Sequence, residues 1–237
     1  MLPGGYLSVL QARDSVEFRD EVVRFAQRLG FETVAAVMVV DHGIGKSDFI
    51  TINNTPKKYS ERCDDRSVGR RDPVSQHCKK KSVPIIWDQD TYVADGAADL
   101  WDHQASYGYR TGIAMALHMP EGRHFMLGVD RDQPLPADLN ELQRVVADLQ
   151  LFTVHAQEAA TRLLLPSAQQ PDCPALTPRE LEALRWTMEG KTAWEVGAIL
   201  GITERTAVLH VNNAMHKLGC INKHQAVLKA LRLGLIH

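Results

Sequence analysis

The 237-residue sequence lacks the features that would mark a membrane or a secreted protein. No apolar run approaches the length that crosses a bilayer, and the first residues, MLPGGYLSVLQARDS, have neither a basic segment nor a long apolar core. The cysteines are scattered without a CxxC pair, which suits reduced thiols better than a disulfide framework or a zinc site: Cys63, Cys78, Cys173 and Cys220. We therefore expect a cytoplasmic protein with no membrane segment and no metal.

Common enzyme signatures are missing as well. The sequence contains no Gly-rich phosphate loop and no nucleophile elbow. His77 directly precedes Cys78, but adjacent residues on a helix point about 100° apart and cannot form a nucleophile–base pair. The lysines at 79–81 are typical of a solvated face. We therefore predict that the chain is not an enzyme and has no cofactor.

An ordinary globular composition is present, with an uneven distribution of charge. Hydrophobic residues make up 44% of the chain and charged residues 24%, and the net charge is -2. Residues 174–237 hold eight Lys and Arg against five Glu, whereas the rest of the chain is acidic. A small basic module joined to a larger acidic one favours nucleic acid as a partner of the C-terminal end.

A proline-containing stretch marks the predicted boundary between two domains. LPSAQQPDCPAL, residues 165–176, places three prolines among small polar residues. It follows a long helical pattern, from about Ala137 to Leu165, and precedes a new helix start. We predict an N-terminal domain over 1–165, a linker over 166–175 and a C-terminal domain over 176–237.

The N-terminal part mixes helical and strand periods. SVEFRDEVVRFAQRLG has an apolar helical face that ends at Gly30, and further helices are predicted near 57–66, 73–81 and 97–107. TVAAVMVV, FITIN, TGIAMALHM and HFMLGV are short β-rich runs. This order predicts an α+β protein whose N-terminal domain is an α/β/α sandwich, an antiparallel sheet with helices packed on its faces and room for a ligand.

The C-terminal part carries the clearest helix signals. Capping boxes begin two helices, at Thr177–Glu180 and Thr192–Glu195, and glycines follow both. Thr203 is predicted to cap a third helix, and Asn222 with Gln225 to begin a fourth. Four short helices joined by tight turns predict a bundle that contains a helix-turn-helix.

The third predicted helix, in GITERTAVLHVNNAMHKLG, has two contrasting faces. A stripe of four residues faces the bundle: Ala207, Val211, Ala214 and Leu218. On the opposite face Asn212 suits adenine in the major groove, and Val208 and Leu209 suit thymine methyl groups. Cationic side chains that can reach phosphates are Arg205, Lys217 and Lys223. The alternative is an interaction module whose exposed Val and Leu bind another protein helix.

LTPRELEALRWTMEGKTAWEVGAILGITERTAVLHVNNAMHKLGCINKHQAVLKALRLGLI resembles the C-terminal DNA-binding domain of LuxR-type regulators, with Glu180, Leu184 and Gly190 at shared positions. The N-terminal part resembles the autoinducer-binding domain of that family, most visibly in RRDPVSQHCKKKSVPIIWD and ASYGYRTGIAMALHM. The resemblance implies a quorum-sensing transcription factor that binds an acyl-homoserine lactone, forms a homodimer and binds an inverted-repeat promoter site. Double-stranded DNA and RNA polymerase are the macromolecular partners that this role implies.

The resemblance also implies ligand-binding positions. Asp72 corresponds to the Asp that accepts the ligand amide N–H, although Asp72-Pro73 is equally a good helix start. Trp87 matches the aromatic wall over the lactone ring, where ordinary core packing is the alternative. Gly112 matches a glycine that lets backbone and ligand approach closely. The implied ligand-binding set is Thr55, Tyr59, Cys63, Asp72, Trp87, Trp101, Gly112, Ala114 and Gly128.

Several of these positions depart from the family. Thr55, Tyr59 and Cys63 stand where the family has Tyr, Trp and Tyr, so the cavity should be larger or shifted. Gly128 and Ala114 replace residues that often carry a hydroxyl, which disfavours a 3-oxo ligand. Two interpretations remain: an acyl-homoserine lactone with a long or unsubstituted chain, or a LuxR solo regulator that responds to another small molecule or acts without ligand.

The implied DNA-binding positions lie on the third helix of the C-terminal domain. Family members commonly carry a polar residue at the position of Val208, so the operator sequence of a relative does not transfer to this chain. The implied DNA-binding set is Thr203, Arg205, Thr206, Val208, Leu209, Asn212, Asn213, His216 and Lys217.

Overall fold

The computed structural model describes residues 5–43, 46–55, 66–165 and 175–237. The chain divides into two compact units, and the described residues of the first end at Leu165. Each unit has its own buried apolar core. The predicted linker lies outside the described residues except for Ala175, so the exact domain boundaries stay a prediction.

One antiparallel sheet forms the frame of the N-terminal unit. Its strands pair in the order β2–β1–β5–β4–β3. Their bounds are β1 Thr33–Gly43, β2 Lys46–Asn53, β3 Ile85–Trp87, β4 Thr111–Met119 and β5 Arg123–Arg131. The helices of this unit are α1 Ser15–Arg28, α2 Arg66–Arg71, α3 Pro73–Lys80, α4 Gln89–Ala94, α5 Ala98–Ala105 and α6 Leu139–Leu164.

Large apolar side chains cover one face of the sheet. Met38, Ile113 and Phe125, from three adjacent strands, are fully buried there. Helices α1 and α6 pack on this face, and the rings of Phe25 and Phe152 stack with their centroids 3.9 Å apart. Because strand residues alternate between faces, the residues next to these in sequence point to the other side of the sheet.

Smaller side chains occupy that second face, and helix α3 covers part of it. Cys78 of α3 is buried against Ala114 and Ala116 of β4. Tyr92 of α4 and Leu100 of α5 pack around Trp87 at the end of β3, together with other apolar residues. Helices therefore lie on both faces, which confirms the predicted α/β/α sandwich.

Most predicted elements of the N-terminal unit are present, with shifts at their ends. The long helix begins at Leu139, where Asp138 caps it, and ends at Leu164. The short strand β3 and the helix α4 were not predicted, because three and six residues are too few to show a period. Of the helix predicted near 57–66, only Arg66 lies within the described residues, where it begins α2.

The C-terminal unit is the predicted four-helix domain. Its helices are α7 Pro178–Met188, α8 Ala193–Leu200, α9 Glu204–Lys217 and α10 Lys223–Arg232. Both predicted capping boxes form, and the side chains of Thr203 and Asn222 cap the third and fourth helices. A Cβ at Gly197 of α8 would lie 2.9 Å from the Ile202 carbonyl oxygen, so this glycine allows the tight turn into α9.

No helix in the described part of the chain is both long enough and apolar enough to span a membrane.

Gly112 and Gly128, on the second face of the sheet, should differ in how much an added methyl group lowers the stability of the N-terminal unit. At Gly112 a Cβ would lie 2.5 Å from the Val129 carbonyl oxygen and 2.6 Å from the Trp87 ring, whereas at Gly128 its nearest neighbour is the Ala114 Cβ at 3.9 Å. We expect Gly112→Ala to destabilise the N-terminal unit by about 1–3 kcal/mol through overpacking. Hydrogen exchange of the β4 and β5 amides measures the change.

Gly128→Ala is the matched control for Gly112→Ala, because the added methyl group has room in the folded protein. The substitution also lowers the conformational entropy of the unfolded chain, which favours folding. It should leave stability unchanged or raise it by about 0.4–1 kcal/mol. Equal destabilisation by the two substitutions would contradict the packing described around Gly112.

Candidate ligand site and nucleic-acid interface

Cross-strand pairing arranges the second face of the N-terminal sheet into rows of different chemistry. One row runs from Thr33 through Asp130 and Gly112 to Trp87. The next row contains small side chains, Ala35, Gly128 and Ala114, and ends at Ile85. A third row is apolar throughout and contains the larger side chains of Val37 and Met126 beside Ala116. The face therefore changes from polar and aromatic to apolar within three rows.

Trp87 is fixed at the polar end of this face. Its ring lies directly over Gly112, where a side chain would clash. It meets Tyr92 edge to face, with the ring centroids 5.8 Å apart and an interplanar angle of 74°. The close approach at Gly112 is thus made by Trp87 itself, and the proposed contact of this glycine with a ligand stays a prediction.

Asp72 caps helix α3 and is engaged on both carboxylate oxygens. Oδ1 accepts hydrogen bonds from the Val74 N–H at 3.2 Å and from the Tyr92 hydroxyl at 3.0 Å. Oδ2 accepts from the N–H of Ser75 at 3.2 Å and from its hydroxyl at 2.5 Å. These bonds use about four lone-pair positions, the usual capacity of a carboxylate. The helix-capping alternative is therefore present in the structure, and a ligand N–H would have to replace one of these donors.

Burial and nearby charge perturb two further groups around Asp72. Burial, and after it the Asp72 carboxylate, raises the pKa of Tyr92, so its hydroxyl stays protonated and available as a donor. Burial, again reinforced by the Asp72 charge, raises the pKa of Asp130 to about 7. Asp130 was missed in the sequence, where one polar residue near a strand end resembles a turn signal. Its two-residue spacing from Gly128 would have placed it on the same face.

The remaining predicted ligand residues are placed less closely together. Trp101 is partly buried beside the Trp87 cluster, and its indole N–H donates to the Arg110 carbonyl oxygen at 3.1 Å. Thr55 follows β2, at the sheet edge opposite to β3. Tyr59 and Cys63 lie outside the described residues. The structure therefore brings together Asp72, Trp87, Gly112, Ala114 and Gly128.

Helix α9 of the C-terminal unit presents the predicted DNA-binding face to solvent. Ala207, Ala214 and Leu218 are buried in the bundle, whereas Val208 and Leu209 are 41% and 54% exposed. Further side chains of the set that are exposed are Thr203, Arg205, Asn212, Asn213, His216 and Lys217. Thr206 is half-buried, and its hydroxyl lies 2.8 Å from that of the capping Thr203.

A groove with a volume of about 380 Å³ lies beside α9. Lys191, just before α8, and Lys223, at the start of α10, line it together with Val208 and Asn212 of α9. Two helix N-termini with lysines beside an exposed helix make an arrangement suited to DNA phosphates on either side of a groove. Lys191 was not singled out in the sequence, although its place before a capping threonine is a usable signal.

Lys217 differs from the other cations on α9 because it has a partner inside the unit. Its ammonium group lies 2.8 Å from Oε2 of Glu180, whose side chain is only 4% exposed. Burial alone would raise the pKa of Glu180, but hydrogen bonds from Lys217 and from the Thr177 N–H hold it below its ordinary value. Lys217 therefore joins α9 to the start of α7, and its contact with DNA phosphate stays a prediction.

An α/β/α unit with an amphiphilic sheet face, followed by a helix-turn-helix unit, is the architecture expected of a DNA-binding protein with a small-molecule site. Residues 14–160 match the autoinducer binding domain, and residues 174–230 match the luxR family of bacterial regulatory proteins. The chain belongs to the LuxR family of quorum-sensing transcriptional regulators. The matched domains are those of regulators, which confirms that the chain is not an enzyme.

Similar proteins cover nearly the whole chain. The transcriptional activator AnoR of Acinetobacter nosocomialis is 30% identical over 227 residues, which are 96% of this chain and 95% of AnoR. The transcriptional activator SolR of Ralstonia nicotianae is 32% identical over 225 residues, 95% and 94% of the two chains. Escherichia coli SdiA has a similar structure, with a TM-score of 0.77, 25% identity and coverage of 98% and 95%. SdiA in complex with octanoyl-rac-glycerol gives a TM-score of 0.76 at 26% identity, with coverage of 98% and 93%.

Removing the Lys217 ammonium should separate its structural role from a DNA contact. Lys217→Ala leaves the buried Glu180 carboxylate without its cation and should destabilise the C-terminal unit by about 1–3 kcal/mol. Hydrogen exchange of the α7 amides in the whole protein reports this loss.

The pH should affect the stability of the C-terminal unit through Glu180, because folding lowers the pKa of this carboxyl group. Its contribution to stability is complete above the ordinary pKa of 4.5 and is lost as the pH falls through the lower pKa of the folded state.

Arg205→Ala is the control for Lys217→Ala, since Arg205 is an exposed cation on the same helix. It should weaken DNA binding while leaving the exchange of the α7 amides unchanged. An unaltered α7 in Lys217→Ala would show that the contact with Glu180 contributes nothing to stability.

Proposed function

We propose that the N-terminal unit binds an acyl-homoserine lactone with a long, unsubstituted acyl chain, and that binding promotes a homodimer that activates transcription from an inverted-repeat site. The observation that carries this proposal is the change in chemistry across the second face of the sheet. A polar head group suits the row of Asp130, Gly112 and Trp87, beside Asp72 and Tyr92. An acyl chain suits the neighbouring row of Ala35, Gly128 and Ala114.

The small residues determine what kind of chain is favoured. Gly128 and Ala114 lie opposite each other on β5 and β4, and neither side chain carries a hydrogen-bonding group. A 3-oxo group held against them would lose its hydration without a new partner from these positions, which costs roughly 1–3 kcal/mol. An unsubstituted chain loses no polar hydration there and gains apolar contact.

A different small molecule is the second candidate, and the state of Asp72 favours it. The carboxylate already accepts four hydrogen bonds, so a lactone amide gains contact only by displacing the Tyr92 or Ser75 hydroxyl. The carboxyl group of Asp130 offers a further polar partner that can donate when protonated. SdiA is known in complex with octanoyl-rac-glycerol, an acyl compound without a lactone. A ligand of that kind would use the acyl row and a hydroxyl-bearing head.

Thermal unfolding of the whole protein against a panel of lactones distinguishes the two candidates. A ligand present at 100 times its dissociation constant adds about 2.7 kcal/mol of stability. For a unit of this size that is a rise in Tm of roughly 5–11 °C. A rise with long unsubstituted chains supports the lactone proposal. No rise with any lactone contradicts it and leaves the second candidate to be tested with acylglycerols.

Asp72→Asn should reduce the lactone-induced rise in Tm, because the charged acceptor for the amide N–H is lost. Its ligand-free Tm should also fall, because the amide nitrogen cannot accept the two hydrogen bonds that one carboxylate oxygen of Asp72 takes, so the rise is measured from the ligand-free Tm of the same variant. Asp14→Asn is the matched control: Asp14 caps α1 through the Val16 and Glu17 amides and lies outside the proposed site. A full lactone response in Asp72→Asn would remove Asp72 from ligand recognition.

The DNA part of the proposal places helix α9 in the major groove, with Asn212 reading a base and with Lys191 and Lys223 at the phosphates. Helix α6 is suited to the dimer, because Leu139 and Val154 are exposed on it at 72% and 50%. Two copies of α9 related by a dyad would meet half-sites about one DNA turn apart. RNA polymerase is the further partner that activation requires.

Asn212→Ala and Lys223→Ala should weaken DNA binding in different ways. Loss of a bidentate base contact costs about 1–3 kcal/mol on the specific duplex and little on a random one. Loss of a phosphate contact should weaken binding to both duplexes alike. It should also reduce the slope of log K against the logarithm of the salt concentration by about one. Fluorescence anisotropy on both duplexes at two salt concentrations measures these terms. Equal losses on both duplexes for Asn212→Ala would exclude it from base reading.

A further inference from the structure

A pair of histidines lies at the far end of the same sheet face and belongs to none of the sites described above. His118 of β4 and His124 of β5 are directly opposite each other in the strand pairing. Their Nδ1 atoms are 2.9 Å apart, and their ring centroids 5.0 Å. Six residues of β4 separate His118 from Gly112, a distance of about 20 Å along an extended strand. The pair is therefore remote from the proposed ligand head group.

Asp41 fixes the orientation of the His124 ring. Its Oδ2 lies 3.1 Å from Nε2 of His124, while its Oδ1 accepts a hydrogen bond from the Ser47 hydroxyl. A carboxylate accepts hydrogen bonds, so Nε2 of His124 carries the proton and its Nδ1 presents a lone pair to His118. A carboxylate that holds the far nitrogen of a histidine in this way is the usual support of a metal-binding imidazole.

If the two nitrogens keep their hydrogen-bonded spacing when a metal replaces the proton between them, that spacing favours one coordination geometry. At metal–nitrogen distances of about 2.1 Å, a separation of 2.9 Å corresponds to an angle of about 87° at the metal. A tetrahedral Zn²⁺ site would need the nitrogens about 3.4 Å apart. An angle near 90° instead suits the square or tetragonal coordination of Cu²⁺ and Ni²⁺.

The geometry points to a two-histidine chelate for Cu²⁺ or Ni²⁺, formed by Nδ1 of His118 and Nδ1 of His124, with Asp41 as the carboxylate that orients His124. The described residues contain no group of three or more His, Cys, Asp or Glu that could hold a metal, so water completes the coordination. His118 is exposed, so a small rotation of its ring can direct the Nδ1 lone pair at the metal while the distance between the two Nδ1 atoms is kept. The proton on Nδ1 of His118 passes to Nε2 of the same ring through solvent, which leaves the Nδ1 lone pair for the metal.

Titration of the untagged, full-length protein with CuCl₂ and NiCl₂ tests this site. We expect one equivalent of Cu²⁺ with a tetragonal electron paramagnetic resonance spectrum showing two nitrogen ligands, and a higher Tm for the N-terminal unit with either metal. His118→Gln and His124→Gln should each abolish this binding phase and its rise in Tm. Asp41→Asn should weaken binding about 10–100-fold without removing either ligand.

His224→Gln is the control, because His224 is an exposed histidine of the C-terminal unit. It should leave the one-equivalent phase intact. The proposal is overturned if wild-type protein binds the metals no more tightly than the His118→Gln/His124→Gln variant, or if the nitrogen signal persists in that variant. Far-UV circular dichroism of each variant without metal establishes that a lost signal does not come from unfolding.

Discussion

The contact between the Trp87 ring and the bare backbone at Gly112 holds the candidate ligand site together. Because no side chain stands at Gly112, the indole approaches the β4 backbone closely, beside the pairing of the short strand β3 with β4. The fixed ring positions Tyr92 edge-on, and the Tyr92 hydroxyl in turn donates to Asp72. Asp72 begins α3, the helix that covers the small residues of the sheet. Successive contacts of Trp87 and Tyr92 thus connect the bare backbone at Gly112 with Asp72 at the polar end of the site.

The C-terminal unit depends on a comparable set of local constraints. Glu180 is buried because it completes the capping box of α7, and Lys217 supplies the charge that makes this burial tolerable. The same ion pair ties the last turn of α9 to α7, while Gly197 allows α8 to meet the turn before α9. The exposed face of α9 is consequently held at both ends. A rigid helix can read a base with few side chains, since little conformational entropy is lost on binding.

The sequence predicts those parts of the fold that local chemistry determines. The capping boxes, the helix ends at glycine and the alternating strands were all visible in short windows, and the structure contains them. β3 and α4 were missed because three and six residues are too few to show a period, and the packing of Trp87 on β4 joins residues that are distant in sequence. The face on which Asp130 lies could be read from its spacing to Gly128, but its position beside Gly112 and the pairing of His118 with His124 required the strand register, which no single segment contains. The family resemblance indicated Asp72, but only coordinates show how many donors it already has.

The occupied state of Asp72 affects how ligand selectivity would arise in the proposed complex. If a ligand amide replaces a hydroxyl at Asp72, one hydrogen bond is exchanged for another and the net gain is small. The acyl chain then supplies most of the affinity, at about 0.8 kcal/mol for each buried CH₂ group. Two extra methylene groups are worth roughly tenfold in affinity if both are buried. Chain length, limited by the space over Ala35, Gly128 and Ala114, would therefore discriminate between signals more strongly than the head group.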